Sequence, residues 1–195
     1  MRNAIIAAAI VILAWIASGQ QVRGGQPPSA VPDSGGPLSS TDLVIPVLGV
    51  ERSQLHDNFN EGRVGHTHDA LDIMAAQGTP VIAAVDGTIR KLFTSKRGGL
   101  TIYEFDDTQT RSYYYAHLDR YANVWEGQRI HRGDVIGYVD QTGNASTPHL
   151  HFGIAQLPPT HEWWKGDAIN PYPELIARGV TKRASALPAR PSVSD

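Results

Sequence analysis

The chain contains eight histidines and no cysteine, and four of the histidines fall in two short clusters. His66 and His68 stand in GHTHDALDI, with Asp72 four residues beyond His68, and His149 and His151 stand in TPHLHF. Imidazole nitrogens and a carboxylate at short spacing are ligands that a cation such as zinc accepts. On a strand, residues i and i+2 share a face, so His149 and His151 project together while Leu150 points into a core. Their Cα atoms then lie about 7 Å apart, which suits one imidazole on a metal and its neighbour beside the activated water or substrate. His68 and Asp72 pose a different problem. Fully extended they would stand about 13 Å apart, too far to share one ion. The segment between them must bend, or His68 must sit on a loop folded back over a strand that begins near Asp72. Gly62 and Gly65 make the loop credible. His68, Asp72 and one histidine of the H-x-H pair make two imidazoles and one carboxylate, three ligands with an open fourth position, as in catalytic rather than structural zinc sites.

The elements that must position these groups read as β. TPVIAAVDGTIRKLFT alternates and is rich in β-branched residues, and LTIYEFDD and RSYYYAHL flank a turn-rich DDTQT, a hairpin signal. QRIHRGDVIGYVDQTG adds two short strands about Gly133-Asp134, and PHLHFGIAQ is a last strand before Pro158-Pro159. Short strands and Gly-containing turns at this frequency predict a mainly β fold, a compact antiparallel sheet or sandwich with a groove. One short helix is expected around YPELIARG, ending at Gly179. GDVIGYVDQTG also resembles the Gly-punctuated hairpins of lipoyl and biotinyl carriers, but its tip holds Arg132-Gly133-Asp134 and no lysine to modify.

The 195 residues suffice for one domain plus appendages, and 41% hydrophobic content fills a single core. A formal net charge of −2 gives no electrostatic reason to expect a nucleic-acid partner. Without cysteine there is no disulfide, no thiolate metal site, no cysteine nucleophile and no lipid on a thioether. Arg2 followed by the uncharged AIIAAAIVILAWIAS, with small residues at Ala17 and Gly19, predicts a signal peptide or an N-terminal anchor over 1–19. This segment is expected to engage the membrane and secretion machinery and to place the rest outside the cytoplasm, in the periplasm or cell envelope. Gly, Pro, Ser and Gln dominate 20–41, read as a disordered linker, and 183–195 reads as a disordered tail. The folded unit is 42–182.

HTHDALDIMAAQGTPVIAAVDGTI, YYYAHL, GQRIHRGDVIGYVDQTGN and TPHLHF, in this order, resemble the M23 family of zinc metallopeptidases, the lysostaphin-like or LytM-type peptidoglycan endopeptidases. The resemblance runs from about Leu55 to Pro173. It implies a β-rich groove, related to the barrel-sandwich hybrid, with one Zn2+ on its floor held by His68, Asp72 and His151. It implies that His149 and the His117 of Y-x-H-L assist the attacking water, and that the substrate is a peptide of peptidoglycan. Imidazole titrates near neutral pH, so such a pair can take the water's proton and stabilise the oxyanion. His149 is assigned as general base and His117 as oxyanion stabiliser, two roles that the chemistry allows to be exchanged. Family members often have Arg two positions before the ligand histidine; here it is His66, which is read as a rim or surface residue.

The alternative from another class is a non-catalytic or latent peptidoglycan-binding module, or an activator of another wall hydrolase. In the latent form a side chain such as Asn58 or Asn60 would occupy the metal's fourth position. His56, His131 and His161 lack partners at ligand spacing and are read as solvated. Tyr114 should face opposite to Tyr113 and Tyr115. Trp163 and Trp164 divide evenly between stacking on glycan sugars and plugging the core.

Overall fold

The computed structural model describes residues 43–177 apart from residue 64. The leader or anchor over 1–19, the linker over 20–41 and the tail over 183–195 lie outside the described residues, as does Gly179; the helix expected to end there stops earlier, at Ile176, because Ala177 leaves the helical conformation (φ −57, ψ 123).

The strand pattern read from alternation is present. β1 (Gly62–Arg63) and β2 (His66–Thr67) make a small hairpin, and β3 (Leu71–Met74) and β4 (Pro80–Ile82) follow. Then come β5 (Gly87–Ser95), β6 (Gly99–Asp106), β7 (Arg111–Tyr121), β8 (Arg129–Ile130), β9 (Val135–Val139), β10 (His149–Gln156) and β11 (Asp167–Ile169). The α-helix α1 (Tyr172–Ile176), with a proline in its first turn, closes the described chain. β3 to β11 form one antiparallel sheet in the order β11-β10-β7-β6-β5-β8, with β3 on β10 and β9 joining β4 to β7. The mainly β antiparallel fold expected from the sequence is what forms.

Alternation along β10 sorts the two faces of this sheet. Leu150, Phe152 and Ile154 are at most 1% exposed and enter the core with Tyr113, Tyr115, Ile102 and Ile136. Each such burial contributes about 1.5–3 kcal/mol, so the strand cannot roll over. His149, His151 and Gly153 are thereby committed to the opposite face.

β7 alternates in the same way, but only to its middle. Tyr113 and Tyr115 face the core and Tyr114 faces away. By simple parity His117 would point inward. Instead three steps on β7, from Tyr115 to Leu118, oppose two on β6, from Ile102 to Leu100, so one extra residue is accommodated. His117 takes a left-handed conformation (φ 62), and the phase flips so that Leu118 becomes the next core residue. Such a conformation in a non-glycine residue costs about 1–3 kcal/mol and persists only where the surroundings enforce it. Here the His117 amide donates to the Gly98 carbonyl at 2.8 Å, and its carbonyl accepts from the Asp140 amide at 3.1 Å. A Cβ on Gly143 would stand 2.3 Å from the Arg97 carbonyl oxygen, and one on Gly98 would stand 2.2 Å from the Tyr114 hydroxyl, so the two turns that hold His117 interlock without spare room. His117→Gly should therefore be more stable than His117→Ala by about 1 kcal/mol in urea denaturation, since only glycine escapes the left-handed penalty. Equal stability would mean that the bulge carries no strain.

One acid lies inside the core. The Tyr115 hydroxyl accepts from the Ala84 amide at 2.9 Å and donates to Glu104 Oε2 at 2.5 Å, while Glu104 Oε1 has no partner among the described residues. Complete burial pushes the Glu104 carboxyl up to about 8 against the Tyr115 hydrogen bond, with help from the charges of Asp86, Asp106 and Asp107. Below the ordinary value of 4.5 folded and unfolded chains both hold this proton; between 4.5 and 8 only the folded chain does. Stability from this group therefore falls as pH rises through that window. Glu104→Gln should flatten the decline, gaining on the wild type by up to about 1.4 kcal/mol per pH unit. Chemical denaturation of both proteins at pH 5, 6.5 and 8 checks this.

Candidate metal centre and active site

The bend required between His68 and Asp72 is made at Asp69, and Gly65 (φ 80) turns the loop upstream. Asp69 adopts φ 55, which an aspartate tolerates, and its amide donates to the Phe59 carbonyl at 3.0 Å. The chain then turns into β3, where Asp72 is directly opposite His151 in the β3–β10 register. Cross-strand neighbours lie about 5 Å apart at Cβ, so pairing alone brings these two side chains together.

Three atoms converge. His68 Nε2 lies 2.9 Å from Asp72 Oδ1 and 3.1 Å from His151 Nδ1, and His151 Nδ1 lies 3.0 Å from Asp72 Oδ1. Tetrahedral ligands at zinc-like bond lengths of about 2.0–2.1 Å stand roughly 3.3 Å from one another. The donor set and its spacing therefore fit a small divalent cation, and His68, Asp72 and His151 form a group that can hold a metal ion. The ligating atoms are set by their other contacts. His68 Nδ1–H donates to the Asn58 carbonyl at 3.0 Å, so Nε2 is the nitrogen turned to the site, where it ligates a metal once the proton it shares with Asp72 is released. Asp72 presents Oδ1 inward while its Oδ2 accepts from Arg63 at 2.9 Å. Burial opposes the charge on Asp72, but hydrogen bonds from His151 and His68 overcome it and hold the carboxyl well below its usual range. Burial likewise opposes protonation of His68, yet the contacts with Asp72 and the Asn58 carbonyl leave its pKa raised. His151 is lowered, chiefly by burial.

The other two histidines face the same cleft, a cavity of about 620 Å³. Their rings lie 4.9 Å apart at the centroids, and the His117 ring is 5.6 Å from that of His151. His117 Nδ1–H donates to the Thr142 carbonyl at 2.7 Å, and His149 Nδ1–H donates to the Thr147 carbonyl at 2.8 Å. Both rings thus turn a bare Nε2 to the cleft, and His149 Nε2 stands 3.5 Å from Asp72 Oδ1. Burial lowers the His117 pKa to about 4, although the bond to Thr142 opposes this. All five residues singled out in the sequence are therefore brought together. His66 falls on the exposed rim, 3.4 Å from Arg97, and His56, His131 and His161 are exposed away from the cleft.

Two residues of this centre were not singled out as supports. Arg63 neutralises the outer oxygen of Asp72. Asn58 braces both ligands, by its carbonyl to His68 and by Oδ1, which accepts from the Asp72 amide at 3.2 Å. That engagement corrects the expectation that Asn58 could occupy a metal's fourth position; the exposed Asn60 does not line the cleft either.

Residues 66–171, more than half of the chain, match the description of peptidase family M23. The chain belongs to that family. It is 33% identical over 116 residues to glycyl-glycine endopeptidase ALE-1 of Staphylococcus capitis, a stretch covering 59% of this chain and 31% of that protein. It is 32% identical over 120 residues to the peptidoglycan DD-endopeptidase ShyC of Vibrio cholerae, covering 56% and 27%. The fold superposes on the catalytic domain of lysostaphin from Staphylococcus simulans with a TM-score of 0.52 at 31% identity, over 60% of this chain and 84% of that one. A peptidase M23 structure from Pseudomonas aeruginosa matches with a TM-score of 0.56 at 26% identity, over 72% and 53%. The chain spans a third or less of the length of the curated relatives it matches. The family resemblance and the β fold it implied are borne out.

Supports behind metal ligands are commonly worth 10–100-fold in affinity. Arg63→Ala should weaken zinc binding by about that factor, measured by competition with a chromogenic chelator, with circular dichroism unchanged. An unaltered affinity would make Arg63 a surface partner of Glu61 and nothing more.

Proposed function

We propose that the chain is an exported zinc-dependent endopeptidase that hydrolyses peptide bonds in the stem or cross-bridge peptides of peptidoglycan. The observation that carries this reading is the convergence of His68 Nε2, Asp72 Oδ1 and His151 Nδ1 beneath two further imidazoles, each with a bare Nε2. The names of the relatives supply the substrate class, and the apolar segment over 4–18 supports export.

Zinc, when held by His68, Asp72 and His151, supplies Lewis acidity that lowers the pKa of water to about 7 and polarises a carbonyl. The chain's own groups then manage protons. At neutral pH His117 is uncharged, and its Nδ1–H is committed to Thr142, so Nε2 accepts a hydrogen bond and orients a water O–H. His149 Nε2, 3.5 Å from Asp72 Oδ1, is the second acceptor facing the same cleft. Neither ring can donate to an oxyanion before it has received a proton. The base and the oxyanion donor are therefore successive states of the pair, and the protonated ring is also placed to pass its proton to the leaving amine. A purely binding module needs none of this arrangement.

Mass spectrometry of purified cross-linked muropeptides after incubation with the protein tests the proposal, with zinc, with chelator and with His149→Ala. Cleavage products are expected only with zinc and the intact histidine, while His149→Ala keeps its metal. Intact muropeptides after exposure to folded, zinc-loaded wild type would overturn it.

A further inference from the structure

The cleft does not end at the metal centre. Tyr114 lines it and also lines a second, smaller depression of about 190 Å³ on the same face of the sheet. Asp69, which follows His68, and Gly153, two residues beyond His151, border that depression too. Its wall is a run of aromatic contacts. The Tyr114 ring lies 6.0 Å from His151 and 4.7 Å from Tyr103; Tyr103 lies 4.8 Å from Trp163, and Trp163 lies 5.3 Å from Trp164.

The two tryptophans have different parts. Trp163 is partly buried and also packs on Phe93 at 5.4 Å, so it anchors the 157–166 loop to the sheet. Trp164 stands nearly perpendicular to it, at 79°, and is 60% exposed. Its indole thus stands in water at the edge of the depression, held on one side by Trp163. The rest of the lining is mixed: Ile154, Ala155 and Ala168 are apolar, while the Asp69 carboxylate, the Ser112 hydroxyl and the Lys165 ammonium, itself paired with Glu162 at 2.8 Å, are polar.

We propose that this depression is a saccharide subsite, holding one pyranose ring of a glycan with a C–H face against Trp164 and its hydroxyls toward Asp69, Ser112 and Lys165. The inference rests on the peptidoglycan reading above, since stem peptides hang from a glycan strand and bring a sugar with them. The chemistry favours a sugar over an apolar side chain. A pyranose is apolar on its flat face and polar around its rim, which matches this surface, whereas an apolar side chain would leave the polar rim without partners. The volume admits a single ring, and continuity through Tyr114 lets one substrate occupy both sites.

Two substrates separate the possibilities: cross-linked muropeptides with their disaccharides, and the same cross-linked peptides with the sugars removed. Zinc-loaded Trp164→Ala should lose about fivefold to tenfold in kcat/KM on the first, the size of one lost aromatic contact, and stay within about twofold of wild type on the second. Trp164→Phe should recover part of the loss. Equal losses on both substrates would make the depression a peptide subsite and overturn the proposal; no loss on either would also overturn it. A peptide-free glycan oligosaccharide gives a readout independent of cleavage. It should quench tryptophan fluorescence in wild type and much less in Trp164→Ala. Wild type that cleaves neither substrate yet shows this quenching would sink the endopeptidase reading and leave the saccharide site standing.

Discussion

The phase of one strand governs this molecule. β10 buries Leu150, Phe152 and Ile154 and so delivers His149 and His151 to the opposite face; a slip by one residue would bury both imidazoles and expose three large apolar side chains. The hydrophobic free energy that forms the core is thus also what aims the metal ligands. β3 adds Asp72 by register, because its partner across the ladder is His151. Two of three ligands need no dedicated loop. Only His68 comes from irregular chain, and that segment is held by specific hydrogen bonds to Glu61, Phe59 and Asn58.

His117 shows the opposite strategy. Its strand, read with a period of two, would hide it, and the extra residue in β7 turns it outward at a cost in backbone conformation. The cost is met by a clasp: the Gly98 carbonyl takes its amide, the Thr142 carbonyl takes its ring, and Thr142 Oγ1 donates to the Leu118 carbonyl while accepting from Leu100. Strain placed beside reacting groups, and compensated by contacts around it, is a common signature of sites where orientation matters more than local stability.

What could be read in advance follows the same division. The H-x-H pair, the strands around it and the opposite facing of Tyr114 obey a period of two, which a sequence displays openly. The need for a bend before Asp72 was legible from distance alone, and Gly65 does turn left-handed in the loop upstream, but the second left-handed residue, Asp69, is marked by no glycine. His117 was visible only through the Y-x-H-L resemblance, because its parity argues against it. Arg63 and Asn58 act across nine and fourteen residues through contacts that no spacing rule encodes, and Asn58, Thr142 and Thr147 contribute backbone carbonyls, which any residue type supplies. β1, β2 and β11 are two or three residues long, too short for alternation to register. For Trp163 and Trp164 the sequence left plug and platform level; the structure packs Trp163 against the sheet and leaves Trp164 exposed.

The interlocked turns at Gly98 and Gly143 carry a consequence for how such a cleft can diverge. On that wall an added methyl group meets backbone or a fixed tyrosine, and any lengthening would displace the carbonyls that hold His117. The loop 157–166, which borders the neighbouring depression and not the metal cleft, rests on the sheet through the rings of Trp163 and leaves Trp164 exposed. Changes at the exposed Trp164 of this tryptophan bank are therefore better tolerated than changes at the two glycine turns. A lineage built on this architecture can explore new substrates by remodelling the tryptophan bank while the chemistry stays where it is.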